Sequence, residues 1–461
     1  MSKIILPEGW SNCTLADIAE VNPKKIEAEQ DIIAGFVPMS HAPTNYNGKL
    51  EFEEKTWGEI GKSYTNFKNN DVIFAKVTPC FENGKAAIVK DMPNNIGAGS
   101  SEFYVLRARN QEIPASYLLG IIKTRKFMQE GAENMTGAVG LRRVPRAFVE
   151  SFPLILPPLA EHKIIADKLD ILLAQVESAK ARLEQIPQIL KRFRQAVLAS
   201  AVSGKLIPKD QKSNVRFDVS VGSLCITSFD GPFGSKLKTA DYTNAGVRVA
   251  RLENIGHLTF NDEKETYISD TKFNSLKGNK LEKDDVLFSS FVDEDVRVCL
   301  FPHNDKIFIN KADCFCLRIN QEIASPKYVA LTLASRTSYE QIKAQVQGVT
   351  RPRINLKTLR SLSFTFPSLQ EQNEIVRRVE QLFAYADGIE KQVHNALECV
   401  NNLTQSILAK AFRGDLTAQW RAENPDLISG ENSAQALLAK IQQQRKSTKT
   451  IKRSKGNSRC D

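Results

Sequence analysis

The 461-residue sequence lacks most of what a catalytic or membrane-bound chain needs. No apolar run approaches the ~20 residues that cross a bilayer, and the opening MSKIILPEGW has no apolar h-region of a signal peptide. A cytoplasmic protein is the expectation. The eight cysteines include no CxxC, and the nearest pair, Cys314 and Cys316, is expected on one face of a strand as free thiols. His41, His162, His257, His303 and His394 do not group with cysteine or carboxylate at ligand spacing; His162 and His394 fall on helices and are expected to be exposed. GEIGKS (58–63) ends like a phosphate-binding loop, but the glycine required at position 56 is Thr56. DGPFGSKLK (230–238) lacks GxGxxG spacing. GxSxG is absent, and LPPL at 156 puts leucine where an N-P-P-aromatic signature needs a polar residue. The chain reads as a non-enzyme.

Composition is that of a globular chain with ample core, 42% hydrophobic and 25% charged, enough for two to four domains. The net charge of +10 is uneven. Residues 441–461 hold Arg445, Lys446, Lys449, Lys452, Arg453, Lys455 and Arg459 against Asp461, a surplus of six, so about +4 belongs to the rest. That tail is expected to be disordered and to attract phosphates without specificity.

What the chain does contain is a copy of itself. LPPLAEHKIIADKLD (156–170) returns as FPSLQEQNEIVRRVE (366–380), and at the same offset of 210 Gly204 and Leu206 answer Gly414 and Leu416. NQE recurs at 110 and 320, Arg143 answers Arg353, and DVIF at 71 answers DVLF at 285. The sequence is a tandem repeat of a unit of about 210 residues, too long for a solenoid repeat, so each unit is expected to be a domain plus a helix.

The repeated helices carry a heptad seam. In the first it runs through Ile165, Leu169, Leu172, Val176, Ala179, Leu183, Ile186, Leu190, Phe193 and Val197; in the second through Ile375, Val379, Leu382, Ala386, Ile389, Val393, Ala396, Val400, Leu403 and Ile407. Two matched seams are expected to pair, with a kink or break at Pro187 in the first helix alone. The seam is about 48 Å long, and the second globular region joins the end of one helix to the start of the other. Antiparallel pairing brings those ends together. The expected fold is mixed α/β: two heads separated by a long antiparallel two-helix coiled coil, with a pseudo-two-fold axis. The expected boundaries are 1–150 for the first head, 151–206 for the central helix, 207–360 for the second head, 361–416 for the distal helix and 417–461 for a C-terminal extension.

Each head shows short β-rich runs, with Asn83-Gly84 suited to a tight hairpin turn, then a helical stretch and a basic loop. Those loops are GAVGLRRVPRAF (137–148), with Arg142, Arg143 and Arg146, and QGVTRPRINLKTLR (347–360), with Arg351, Arg353, Lys357 and Arg360. Equivalent basic loops on two heads suggest a symmetric pair of contacts to phosphates or base edges. Lys76, Thr78, Glu82, Asn83 and Lys85, on the hairpin of the first head, offer side chains that can read bases.

At this point the chain resembles the specificity subunit of a type I restriction-modification system, of the enterobacterial type IA kind. The resemblance is carried most specifically by residues 156–202 and 374–434, and by LPEGW, AKVTPCFENGKAA, GSSEF and GPFGSKLK. It adds Ser235 and Lys236 of GPFGSKLK, and Ser289 of the matching second-head strand, to the candidate DNA contacts. It implies that each head is a target recognition domain reading one half of an asymmetric bipartite site on double-stranded DNA, with the coil fixing the gap. It further implies two modification subunits bringing S-adenosylmethionine to adenine N6, and two restriction subunits bringing ATP and Mg. No cofactor is expected on this chain itself. The rival readings are a coiled-coil scaffold with protein-binding heads and a self-contained DNA methyltransferase.

Overall fold

A computed structural model describes residues 6–457 except 139, 209, 211, 213, 214, 294 and 347–351, with backbone alone for 448–457. Along the chain run β1 (Ser11–Thr14), α1 (Leu15–Ile18), β2 (Ala19–Val21), β3 (Ile33–Val37), β4 (Glu53–Thr56), α2 (Trp57–Ile60), β5 (Thr65–Lys68), β6 (Val72–Ala75), β7 (Ala86–Ile88), β8 (Ile96–Gly99), β9 (Phe103–Ala108), α3 (Ala115–Ile122), α4 (Arg125–Glu133), β10 (Thr136–Ala138), β11 (Leu141–Arg143), α5 (Arg146–Ser151), β12 (Pro153–Leu156) and the long α6 (Leu159–Val202). The second passage holds β13 (Arg216–Ser220), β14 (Cys225–Phe229), β15 (Tyr242–Thr243), β16 (Val247–Ala250), β17 (Tyr267–Ile268), α7 (Asp270–Asn274), β18 (Val286–Ser289), β19 (Val298–Leu300), β20 (Phe308–Asn310), β21 (Cys314–Ile319), α8 (Pro326–Leu333), α9 (Arg336–Lys343), α10 (Leu356–Ser361), β22 (Ser363–Pro367) and the long α11 (Leu369–Arg413). The chain continues in α12 (Ala418–Glu423) and α13 (Ala434–Asn457). Two compact units result, residues 1–184 with 395–461, and residues 185–394. Among the described residues no helix is long and apolar enough to cross a membrane.

Each unit contains the same two four-stranded sheets with one informative difference. The sheet ordered β2-β9-β6-β7 in the first has the counterpart β14-β21-β18-β19 in the second, antiparallel throughout. A buried aspartate at the start of the central strand anchors both: Arg107 grips Asp71 through Nε at 2.8 Å and a terminal nitrogen at 2.6 Å, and Arg318 grips Asp285 at 2.9 Å through both. In the other sheet three strands are shared. β3 pairs antiparallel with β4 and parallel with β8, as β16 does with β17 and β20. The fourth strand is added at opposite edges, β5 beside β8 in the first unit and β15 beside β17 in the second, where β5's place holds a single bridge between Lys280 and Ile309.

Helix order also repeats. Thr124 caps α4 by accepting from the Phe127 amide, and Ser335 caps α9 by accepting from the Ser338 amide. The loop between β6 and β7 is longer than a tight hairpin: residues 76–85 intervene, and Asn83-Gly84 serves as one turn within it, with Gly84 at φ +69°. The seven described cysteines are free thiols, and Cys314 and Cys316 do share one face of β21, packed in one core cluster.

The long helices pair antiparallel within each unit. In the first, Ile165, Leu169, Leu173 and Val176 pack in one core with Ile407, Leu408 and Ala411, and the Lys168 ammonium donates to the Leu416 carbonyl at 3.0 Å. In the second, Val197, Leu198 and Ala201 meet Ile375, Val376 and Val379, and Arg378 donates to the Leu206 carbonyl at 2.9 Å. The buried positions depart from the strict heptad. Leu173 is buried where Leu172 was expected and is half-buried, Ala179 is exposed, and Leu403 is 46% exposed. Near the heads a helix must cover a domain as well as its partner, so the apolar stripe follows the ~3.6-residue period of a straight helix rather than 3.5. α6 continues through Pro187, so of the expected kink or break the break is absent. The basic stretch from 441, expected to be disordered, continues α13 as far as Asn457, because Ala434, Leu437 and Ile441 form a stripe seated in the core of Trp10, Leu15 and Ile18.

His162 overturns the expectation of exposure. It is fully buried, with Nδ1 3.0 Å from the Pro158 carbonyl and its ring edge-on to Tyr117, and burial pulls it down to about 4. His394 is exposed, as expected. The 210-offset counterpart of His162 is Gln372, also buried, whose amide donates to the Pro367 carbonyl and accepts from the Ser325 amide. Because unfolded histidine titrates near ~6.5, the unfolded chain binds the extra proton between pH ~6.5 and about 4. Stability contributed above pH ~6.5 is therefore lost as pH falls through that window, on the order of 3 kcal/mol. Denaturant titrations at pH 7 and pH 4.5 on wild type and His162→Gln test this: the variant should lose less stability on acidification, and equal losses would remove His162 as the cause.

Candidate nucleic-acid interface

In both units a described part of the basic loop, residues 142–144 in the first and 352–354 in the second, lies against the outgoing end of the central strand of the aspartate-anchored sheet. In the first unit the β10–β11 hairpin and the loop after β6 are laced together. The Thr78 amide donates to the Arg142 carbonyl at 2.9 Å, the Arg142 amide to Thr78 Oγ1 at 3.0 Å, and the Val144 amide to the Lys76 carbonyl at 2.8 Å. Gly137 is required here: at φ +128° a Cβ would stand 2.6 Å from the Leu141 carbonyl oxygen. The lacing leaves Leu141, Arg142, Glu82 and Asn83 exposed.

The candidate side chains differ in their freedom. Arg143 holds Glu102 in a two-pronged ion pair at 2.9 and 2.8 Å, and this bond keeps the Glu102 carboxyl below its ordinary range against the opposing effect of burial. Arg142 reaches Glu82 at 3.3 Å, and Arg146 reaches Glu150 one turn along α5 at 2.8 Å. The Lys76 ammonium lies over the Tyr104 ring at 5.5 Å. Lys85 donates to the Met39 carbonyl at 2.8 Å and so braces the loop from within. Sequence reasoning missed its companion. Lys123, buried, donates to the carbonyls of Thr44, Asn45 and Gly84 at 2.9, 3.2 and 2.6 Å, and burial pulls its ammonium down to about 7. A lysine in KTRK reads as solvated surface, and no local signal marks it as a brace.

The second unit repeats the placement with different partners. Arg353 bridges Phe291 as Arg143 bridges Val77, the Val292 amide donates to the Pro352 carbonyl, and the Ile354 amide donates to the Ser290 carbonyl, each at 3.0 Å. The counterpart of Glu102 is Asp313, which accepts from Ser290 Oγ at 2.9 Å while its amide donates to Asp230 at 3.0 Å. Burial pushes the Asp230 carboxyl up to about 6, against the lowering effect of the Gly231 amide. Arg353 is exposed and makes no ion pair with the described residues. Lys357 is exposed on α10, whose cap Asn355 accepts from the Thr358 amide at 2.8 Å. Ser235 and Lys236 are exposed on the 3-10 turn Gly234–Lys236. Ser289 is not presented: it is fully buried, its hydroxyl turned onto the Phe291 carbonyl at 3.2 Å, because both faces of β18 are covered. Arg351 lies outside the described residues.

Two heads with one framework and two sets of polar tips are the design of a protein that presents two different readings. A family model, the type I restriction modification DNA specificity domain, matches residues 7–188 and 233–399, and the chain belongs to this family of specificity subunits. It is 36% identical to the type I restriction enzyme EcoKI specificity subunit of Escherichia coli K12, over 96% of this chain and 97% of that one. It is 45% identical to the EcoBI specificity subunit of Escherichia coli, over 67% of this chain and 68% of the other. Among solved structures, a chain from a study of complex assembly and conformational transition of the type I R-M system superposes with a TM-score of 0.69 at 20% identity, covering 89% of this chain and 99% of that one. The HsdS subunit from Thermoanaerobacter tengcongensis gives 0.60 at 19% identity, covering 90% and 99%.

Proposed function

We propose that the heads at 1–150 and 207–360 each read one half of an asymmetric bipartite sequence in double-stranded DNA, in the cytoplasm. The paired long helices act as a coiled-coil spacer with a pseudo-two-fold axis and set the gap. The chain carries no catalytic group of its own. It recruits two modification subunits, which bind S-adenosylmethionine, and two restriction subunits, which bind ATP and Mg. The observation that carries this reading is the equivalent seating of Arg143 and Arg353, each bridged to the outgoing strand of its own head while their acidic neighbours differ.

The arginine contrast supplies the test. Arg353→Ala is expected to cost roughly 1–3 kcal/mol of discrimination at one base pair of one half-site, if the free guanidinium forks onto guanine. Arg143→Ala should cost less, because Glu102 already occupies its fork. Binding titrations on duplexes altered one base pair at a time measure both. Equal weakening on every sequence, with the salt slope reduced by about one, would demote either arginine to a phosphate contact. Relaxed preference in both halves would overturn the assignment of one half to each head.

A further inference from the structure

The segment DGPFGSKLK joins β14 to the rest of the second head, and its middle is built to be seen from outside. Of the chain's 24 phenylalanines, all of them described, 23 are buried or half-buried, and Phe233 alone is exposed, at 55%. The loop that carries it is held firmly at both ends. Asp230 accepts from the Gly231 amide at 2.7 Å and from the Asp313 amide at 3.0 Å, and its own carbonyl accepts from the Asn279 side chain at 2.9 Å. Gly231 is packed so closely on Lys311 that a Cβ would stand 2.0 Å from that residue's carbonyl carbon. On the far side Leu237 is buried, and its carbonyl accepts from the Lys311 ammonium at 2.8 Å. Between these anchors Gly234 takes φ +45° and turns the chain immediately after the ring. Ser235, Lys236 and Lys238 flank it, exposed.

Position completes the case. Asp230 is bonded to Asp313, Asp313 to Ser290, and Ser290 receives the Ile354 amide beside Arg353. The aromatic loop and the exposed Arg353 therefore stand at the same end of one sheet, joined by a continuous run of hydrogen bonds. An exposed ring costs solubility and this one belongs to no core cluster, whereas cationic neighbours attract a phosphate backbone and an apolar ring gains by leaving water between bases.

We infer that Phe233 is an apolar wedge that enters a base step of the half-site read by the second head and unstacks it. The inference rests on the DNA-reading function proposed above. The first head has no such device in this loop: after β2 its residues 22–32 include Lys24 and Lys25 but no aromatic. This wedge therefore acts on one half of the site, and pyrimidine–purine steps, which open most easily, are favoured there.

The test uses the full chain with its partner subunits and a duplex carrying its site, with 2-aminopurine placed in turn at each adenine of the second half-site. Besides any position brightened when the target adenine is flipped out for methylation, which the variants should leave unchanged, wild type should brighten one further position. Phe233→Ala should abolish that signal and bind the site about ten-fold more weakly, equivalent to ~1.4 kcal/mol, whereas Phe233→Trp should keep both signal and affinity. The ring packs on no core, so neither variant is expected to disturb folding, and unchanged recognition of the first half-site serves as the control. If Phe233→Ala binds as wild type does with the signal intact, the wedge is overturned. If replacing one thymine by deoxyuridine reproduces the loss and no further position brightens, the ring rests on a methyl group and insertion is overturned. A wild-type chain that does not distinguish the site from unrelated DNA would instead overturn the function on which the inference stands.

Discussion

Replacing Glu161 with alanine should release the C-terminal segment from the first unit and cost roughly 3–5 kcal/mol, the range for breaking a buried charge pair from one side. Glu161 has no exposed surface. One carboxylate oxygen accepts from Trp10 Nε1 at 2.8 Å; the other accepts from Thr417 Oγ1 at 2.5 Å and from Arg421, which also lies over the Trp10 ring. Without the carboxylate, Arg421, with 12% of its side chain exposed, keeps its charge and loses its counter-ion. The consequence spreads because Trp10 belongs to the core that seats Ala434, Leu437 and Ile441. Hydrogen exchange should show faster exchange from about residue 414 to 445 and little change in 185–394. Glu371→Ala should be milder, since its partner Arg216 is 35% exposed and water can solvate what the carboxylate leaves. Unchanged protection of the C-terminal segment in Glu161→Ala would refute the clamp.

The second large effect concerns recognition. Exchanging the first head for one from a related subunit should change one half of the recognised sequence completely, leaving the other half and the gap as they were. The fold dictates where to cut. β1 pairs with β12 from Ser11↔Leu156 to Thr14↔Pro153, and Trp10 bonds Glu161, so both belong to the frame. Junctions after Ile18 and before Arg146 keep these contacts. The incoming head must also supply a small residue at Gly120, where a Cβ would stand 2.9 Å from the Phe412 ring and 3.3 Å from Leu169. Sequencing modified adenines in cells carrying the hybrid is the measurement. A change in both halves, or in the gap alone, would contradict one half-site per head.

The repeat itself was legible because duplication preserves framework: Arg143 and Arg353, matched by offset, occupy equivalent bridges. The long helices were legible for the same reason. What escaped were features that depend on where a side chain points. Glu102 and Asp313 stand at equivalent places, immediately before β9 and β21, yet one binds the arginine while the other accepts from Ser290 and donates its amide to Asp230. Ser289 looked available by composition and is buried because both faces of β18 are covered by core. His162, polar and on a helix, is buried against Tyr117 and the Pro158 carbonyl, as its counterpart Gln372 is buried on the Pro367 carbonyl and the Ser325 amide. The stripe on α13 was hidden by the basic residues around it, which outweigh three apolar positions in any average.

One feature of the chain path governs how the protein is made. The unit at 185–394 is a single continuous stretch, whereas the other is assembled from 1–184 and 395–461. A ribosome therefore completes the later-encoded unit first. The earlier-encoded head emerges with Trp10, Leu15 and Ile18 uncovered and waits, through the synthesis of everything between, for the residues around Arg421 and α13 to arrive. A chain stalled near residue 400 carries one finished reader and one with its floor open, so folding assistance and proteolytic risk during synthesis concentrate on the N-terminal half.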